Sequence, residues 1–119
     1  SEAFVPLLPS LDAVNQTRDI LMLDQRGTGG SHPLRCDEEA SGLEALEPED
    51  PAVRAYWERC LAALDADAAQ YTTEVAARDL DELRAALGYE RLNLLGVSYG
   101  TRAALTYLRL FPERVRTLV

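Results

Sequence analysis

Ser98 stands between two glycines, in Gly96-Val97-Ser98-Tyr99-Gly100. A serine hydroxyl becomes a useful nucleophile when a base removes its proton and the chain presents it free of its neighbours. The G-x-S-x-G spacing serves the second need. Where a strand turns sharply into a helix, side chains two residues before and after the turn would collide, and glycine removes the Cβ atoms. The serine then occupies a strained backbone conformation, costing about 1–3 kcal/mol. Its oxygen projects outward, and the following amide, Tyr99 N–H, points toward the same space, where it can stabilise an oxyanion.

The base is a separate matter. His32 is the only histidine in the 119 residues and precedes Ser98 by 66 positions. In an elbow of this kind the acid and the histidine follow the serine along the chain, so His32 reads as a loop residue. The second glycine-rich stretch, Gln25-Arg26-Gly27-Thr28-Gly29-Gly30-Ser31-His32-Pro33, fails as a nucleotide loop. His32 takes the place of a third glycine, and Pro33 blocks the helix that would receive a pyrophosphate. We read it as a shaped loop bordering the site, held by Asp24 and Arg26. One histidine and two separated cysteines, Cys36 and Cys60, make no metal-ligand pattern, and no cofactor is expected.

The elements follow from apolar patterning. Leu7, Leu11 and Val14 recur at helical spacing up to Arg18, and "DILMLD" (19–24) is a short apolar run suited to a buried parallel strand. Asp50-Pro51 is a cap with proline at the first helical position. The helix that follows carries an apolar face of Val53, Tyr56/Trp57, Cys60 and Leu64. Another begins at Thr72 or Thr73, runs along Ala76, Leu80, Leu83 and Leu87 with a Glu74–Arg78 pair on its wet side, and ends at Gly88. "RLNLLGV" (91–97) is a strand, "YGTRAALTYLRLF" a helix stopped before Pro112, and "VRTLV" (115–119) the start of a further strand. Strands alternating with helices predict an α/β fold with a parallel sheet flanked by helices. Ser98 falls at a strand's carboxyl end, where such sheets gather their functional groups. The acidic stretch 37–50 reads as a solvated excursion, part of a helical and acidic insertion at about 35–70.

Composition narrows the function. The net charge is −8, with twelve arginines and no lysine. A nucleic-acid surface is disfavoured, and Schiff-base or P-loop lysine chemistry is excluded within these residues. No apolar stretch reaches membrane-spanning length. Cys36 and Cys60, 24 positions apart, leave two readings open: a disulfide, worth about 3–4 kcal/mol through loop closure, or two buried thiols.

Taken together, "RDILMLDQRGTGGSHPLRC" and "YTTEVAARDLDELRAALGYERLNLLGVSYGTRAALTYLRLFPERV" resemble α/β-hydrolases of the prolyl aminopeptidase type, especially the exported tripeptidyl-aminopeptidase-like branch. The resemblance covers nearly the whole chain, 37–50 being its least specific part. It implies Ser98 as nucleophile, Tyr99 as donor of one oxyanion amide, and Asp24 to Ser31 as the loop after strand four beside the active site. It also implies that Cys36 and Cys60 pair, as in exported members, and thus a secreted or periplasmic bacterial setting. On this reading residues 1–119 are one piece of a hydrolase core, strand four to the start of strand six, truncated at both ends. The second oxyanion segment, the cap domain and the triad aspartate and histidine are then expected outside it. The expected partners are a peptide substrate and either the remainder of the polypeptide or a second copy. An esterase or thioesterase of the same fold, or a non-catalytic hydrolase-like module, are the rival readings.

Overall fold

The computed structural model describes residues 2–36, 47 and 49–119. Most of the acidic stretch 37–50 therefore lies outside the described residues. The chain opens with a 3-10 segment, Glu2–Leu11, that contains Pro6 and Pro9. It leads into a single α-turn, α1 (Asp12–Asn15). The helix expected up to Arg18 is thus much reduced, because each proline removes a backbone donor and the α ladder cannot run through. Of the pattern's apolar positions, Leu7 and Val14 are left exposed and Leu11 is half-buried.

Helix α2 (Pro51–Ala63) starts as its cap predicts: the Asp50 side chain accepts from Ala52 N, with proline at the first helical position. Tyr56 and Cys60 are buried, but Trp57 is 54% exposed. The apolar face therefore runs through Tyr56 alone, with Trp57 turned to solvent and packed edge-on against the Tyr56 ring. Helix α3 (Thr73–Ala86) is capped by Thr72, whose hydroxyl accepts from Val75 N, and Gly88 takes the left-handed φ of +78° that ends it. Strand β1 (Leu92–Leu94) leads through residues 95–98 into α4 (Tyr99–Leu110). After a 3-10 turn at Pro112–Arg114 comes β2 (Val115–Leu118).

β1 and β2 pair in parallel, Leu92 opposite Val115 and Leu94 opposite Leu118, with an irregularity between Leu92 and Asn93. The ladder extends past both strands through Val119 N to Leu94 O (2.9 Å) and Gly96 N to Val119 O (2.8 Å). α4 is the crossover between them, as a parallel pair requires. Ala104 and Tyr107 of α4 are buried, as is Ala77 of α3, and the two helices pack against each other.

The apolar run 19–24 departs from expectation. Among the described residues it belongs to no sheet. It lies across an open cleft of about 1420 Å³ from β1, the cleft being lined by Ile20, Leu23, Leu92, Leu94, Ala104 and Tyr107 among others. Strand propensity becomes strand structure only when a neighbour takes up the backbone donors and acceptors. Among the described residues no strand pairs with it, and Leu21, Met22 and Leu23 remain 36–43% exposed.

Candidate active site

Residues 95–98 carry the chain from β1 into α4. Ser98 adopts φ +54°, ψ −122°, one of two non-glycine residues with positive φ among the described residues. Such a conformation is costly for a residue with a Cβ and persists only where its surroundings over-determine it. Much of that determination is local. Gly100 N donates to Val97 O at 2.8 Å, and both the amide (3.0 Å) and the hydroxyl (2.7 Å) of Thr101 donate to Ser98 O. A Cβ at Gly96 would meet the Gly100 carbonyl oxygen at 2.6 Å, whereas one at Gly100 would meet nothing within 4 Å. The first glycine of the motif is thus a steric necessity here, and the second is not. Although Ser98 occupies the cap position of α4, its side chain makes no capping hydrogen bond. Ser98 and Tyr99 are both exposed. Tyr99 N–H is the first amide of α4 and so belongs to the donors that no intrahelical carbonyl can satisfy.

The loop at 25–31 is built around a carboxylate. Gly30 N donates to Asp24 Oδ2 at 3.0 Å, and a Cβ on Gly29, whose φ is +50°, would run into the Asp24 carboxyl group. Gly27 N–Ser31 O (2.8 Å), Ser31 N–Thr28 O (2.8 Å) and Leu34 N–Gly27 O (3.0 Å) close the turn. The loop folds onto its own acidic side chain, so the glycine-rich turn here serves an internal anion. Gly27 sits at φ +83° with the Tyr71 ring against the site of its missing Cβ. His32, at φ +50°, is exposed on this loop.

Arg26 fastens the loop to α3. Its Nε donates to Asp79 Oδ2 at 2.6 Å, its Nη1 donates to Gln70 O at 3.1 Å, and its guanidinium lies 6.0 Å from the Tyr71 ring centroid. The hydrogen bond to Asp79 raises the Arg26 pKa further above its ordinary value. Asp24, Gln25, Arg26 and Gly100 line the cleft beside β1, whereas Ser98 and Tyr99 do not.

α3 carries polar connections that apolar periodicity did not disclose. The Thr73 and Tyr99 hydroxyls share a hydrogen bond of 2.8 Å. Glu74, expected to pair with Arg78 on its own helix, instead meets Arg109 of α4. Lower down, Arg84 is 6% exposed yet charged. Its Nε donates to Asp81 Oδ1 at 2.7 Å and its Nη1 to Tyr89 O, while the fully buried Tyr107 donates its hydroxyl to Asp81 at 2.8 Å. The hydrogen bond from Arg84 holds the Asp81 carboxyl below its usual range, and burial, with the bond to Asp81, pushes the Tyr107 phenol up to about 12. No buried side-chain nitrogen or oxygen among the described residues lacks a partner. The one advance signal for this cluster was the i,i+3 spacing of Asp81 and Arg84.

Cys36 and Cys60 stand with their Cα atoms 5.2 Å apart and their sulfurs at disulfide distance, within the usual range for a bridge. They join the segment after the glycine-rich loop to α2. Among the described residues no helix is long and apolar enough to cross a membrane.

Comparison with known proteins bears on the fold. A family model described as alpha/beta hydrolase fold matches residues 1–119. A tripeptidyl aminopeptidase of Streptomyces lividans is 38% identical over 114 residues, covering 85% of this chain. The serine protease Hip1 of Mycobacterium tuberculosis is 32% identical over 123 residues, covering 89%. A putative hydrolase, YuaR, of Escherichia coli is 27% identical over 108 residues. The chain spans 21–23% of the length of these relatives.

Proposed function

This chain belongs to the alpha/beta hydrolase fold family, and we propose that within a complete polypeptide it carries the nucleophile of a serine aminopeptidase, Ser98. The observation that carries the reading is the backbone of Ser98: φ +54°, ψ −122°, between a strand and a helix, with no capping hydrogen bond to occupy its hydroxyl. A serine retained merely to cap α4 would take an extended conformation and accept from the first turn. Strain at a residue that could be placed without it is the mark of a group presented for chemistry. Two relatives named for peptide cleavage support peptides as the substrate class.

In this mechanism Ser98 Oγ attacks the carbonyl carbon of a peptide bond near the substrate's amino terminus. Its proton passes to a histidine contributed by the polypeptide outside these residues. The carbonyl oxygen, now negative, is stabilised by Tyr99 N–H and by a second donor from elsewhere in the fold. Collapse expels the amine, which takes the proton from the imidazolium and leaves an acyl-enzyme on Ser98. Water, deprotonated by the same histidine, then releases the acid. In this reading the loop 24–31, held in shape by Asp24 and fastened to α3 by Arg26, borders the substrate. The cysteine pair supports an exported setting, since disulfides persist in oxidising compartments.

The test is labelling with a fluorophosphonate probe, together with turnover of aminoacyl and tripeptidyl chromogenic substrates, in a full-length protein that contains these residues. Ser98→Ala should abolish labelling and lower turnover by about 10⁶. The isolated 119 residues should show no turnover above background. Undiminished labelling of Ser98→Ala refutes the nucleophile assignment. Turnover of esters without turnover of peptides replaces the aminopeptidase reading with an esterase.

A further inference from the structure

The strained turn at Ser98 is held locally by bonds that lie within it, from Gly100 N to Val97 O and from Thr101 to Ser98 O. Bonds of that kind preserve the shape of a turn but do not set where the turn sits. An oxyanion donor has to be placed within about 0.5 Å of its productive position, so the turn needs fixing to the body of the protein. On the strand side β2 does this, through Gly96 N to Val119 O. On the helix side α4 is joined to α3 by several contacts, and the polar one at the elbow itself is the 2.8 Å hydrogen bond between Tyr99 Oη and Thr73 Oγ1, which spans 26 residues of sequence.

Both ends of that bond are well defined. Tyr99 opens α4 and supplies the amide next to the serine; Thr73 opens α3, immediately after the capping Thr72. α3 is in turn bound to the glycine-rich loop through Asp79 and Arg26, six residues along from Thr73. The amino-terminal half of α3 therefore bonds both the first residue of α4 and the glycine-rich loop. Moving Thr73 relative to Tyr99 would shift the elbow against the loop without breaking any bond inside the elbow.

We propose that Thr73 is a positioning residue that acts through the Tyr99 phenol to hold the Tyr99 amide where the oxyanion forms. This inference rests on the assignment of Ser98 as nucleophile. A hydrogen bond at an exposed position contributes little to folding, because water replaces it readily. Its loss should therefore register in the transition state and barely in stability.

The experiment is steady-state kinetics of Thr73→Val, Thr73→Ser, Tyr99→Phe and the double variant Thr73→Val/Tyr99→Phe, each in a full-length protein containing this chain. Thr73→Val should lower kcat about 3- to 10-fold, the range one hydrogen bond commands, with KM within twofold. Its melting temperature should stay close to that of the parent. Thr73→Ser, which restores the hydroxyl, should recover most of the rate. Tyr99→Phe should match Thr73→Val, and the double variant should be no worse than either, since the two changes remove the same bond. An unchanged kcat, a loss confined to KM, a Thr73→Ser variant as slow as Thr73→Val, or additive losses would each overturn the proposal. If Ser98→Ala keeps its activity, the nucleophile assignment falls and takes this inference with it. If Ser98→Ala is dead and Thr73→Val is unimpaired, only the positioning role is lost.

Discussion

Gly96 and Gly100 look equivalent in the motif, yet only Gly96 faces its neighbour's backbone. A Cβ there would press on the Gly100 carbonyl oxygen, its carbon and the Thr101 nitrogen, all within 2.9 Å. Backbone atoms cannot swing aside as the end of a flexible side chain can, so the turn itself must open. Gly96→Ala is therefore expected to destabilise the protein by about 1–3 kcal/mol, read as a lower urea midpoint. It should also slow labelling of Ser98, because opening the turn relaxes the strained serine. Gly100→Ala meets open space and should leave the midpoint within about 0.5 kcal/mol of the parent. Equal effects from the two glycines would refute this steric account. The motif showed that both positions were special; which of them bears the contact depends on the direction each missing Cβ takes.

At the scale of elements, α3 is a polar strut as much as an apolar one. Its sequence was read by the recurrence of Ala76, Leu80, Leu83 and Leu87, but Leu87 is 49% exposed and Arg84 is buried. The reason is the partner helix. α4 brings the Tyr107 hydroxyl against Asp81, and a buried phenol, carboxylate and guanidinium that satisfy one another form a stable unit. This unit has a signature in pH. Asp81 has its pKa depressed in the fold, so its stabilising contribution is present above the ordinary carboxylate pKa and is lost as pH falls through the folded value. Tyr107 has its pKa raised to about 12, so its contribution is complete below about pH 10 and disappears as pH rises toward 12. Tyr107→Phe should cost about 1 kcal/mol at pH 7, measured by urea unfolding. The gap between parent and variant should narrow from pH 10 to 12, while the decline on the acid side persists. A gap that stays constant across the alkaline range would show that the phenol is not held by Asp81.

Across the whole molecule, very little is sealed from water. Five apolar residues and Arg84 are buried among the described residues. The radius of gyration is 17.6 Å, against about 13.5 Å for a compact chain of this length. Among the described residues β1 pairs with β2 alone, and the cleft beside it exposes Leu21, Met22, Leu23 and Leu95. Apolar surface and unpaired strand edges of this extent promote association. The isolated 119 residues, 13.1 kDa, should accordingly sediment as a species heavier than the monomer at micromolar concentration, and dissociate on dilution or in low urea. A stable monomer at high concentration would contradict this.

Local physics alone determined a good deal of this protein. The caps at Asp50 and Thr72, the left-handed stop at Gly88 and the sharp turn at Ser98 all follow from a few neighbouring residues. Steric overlap and capping bonds act over four or five positions, so they can be read along the chain. The tertiary structure alone decided three other things: that 19–24 pairs with no strand among the described residues, that Trp57 faces water, and that Thr73, Glu74, Asp79 and Asp81 each find a partner outside α3. Those outcomes depend on which surfaces meet across 26 or more residues of sequence, and hydrogen bonds and burial at that range have no period to betray them.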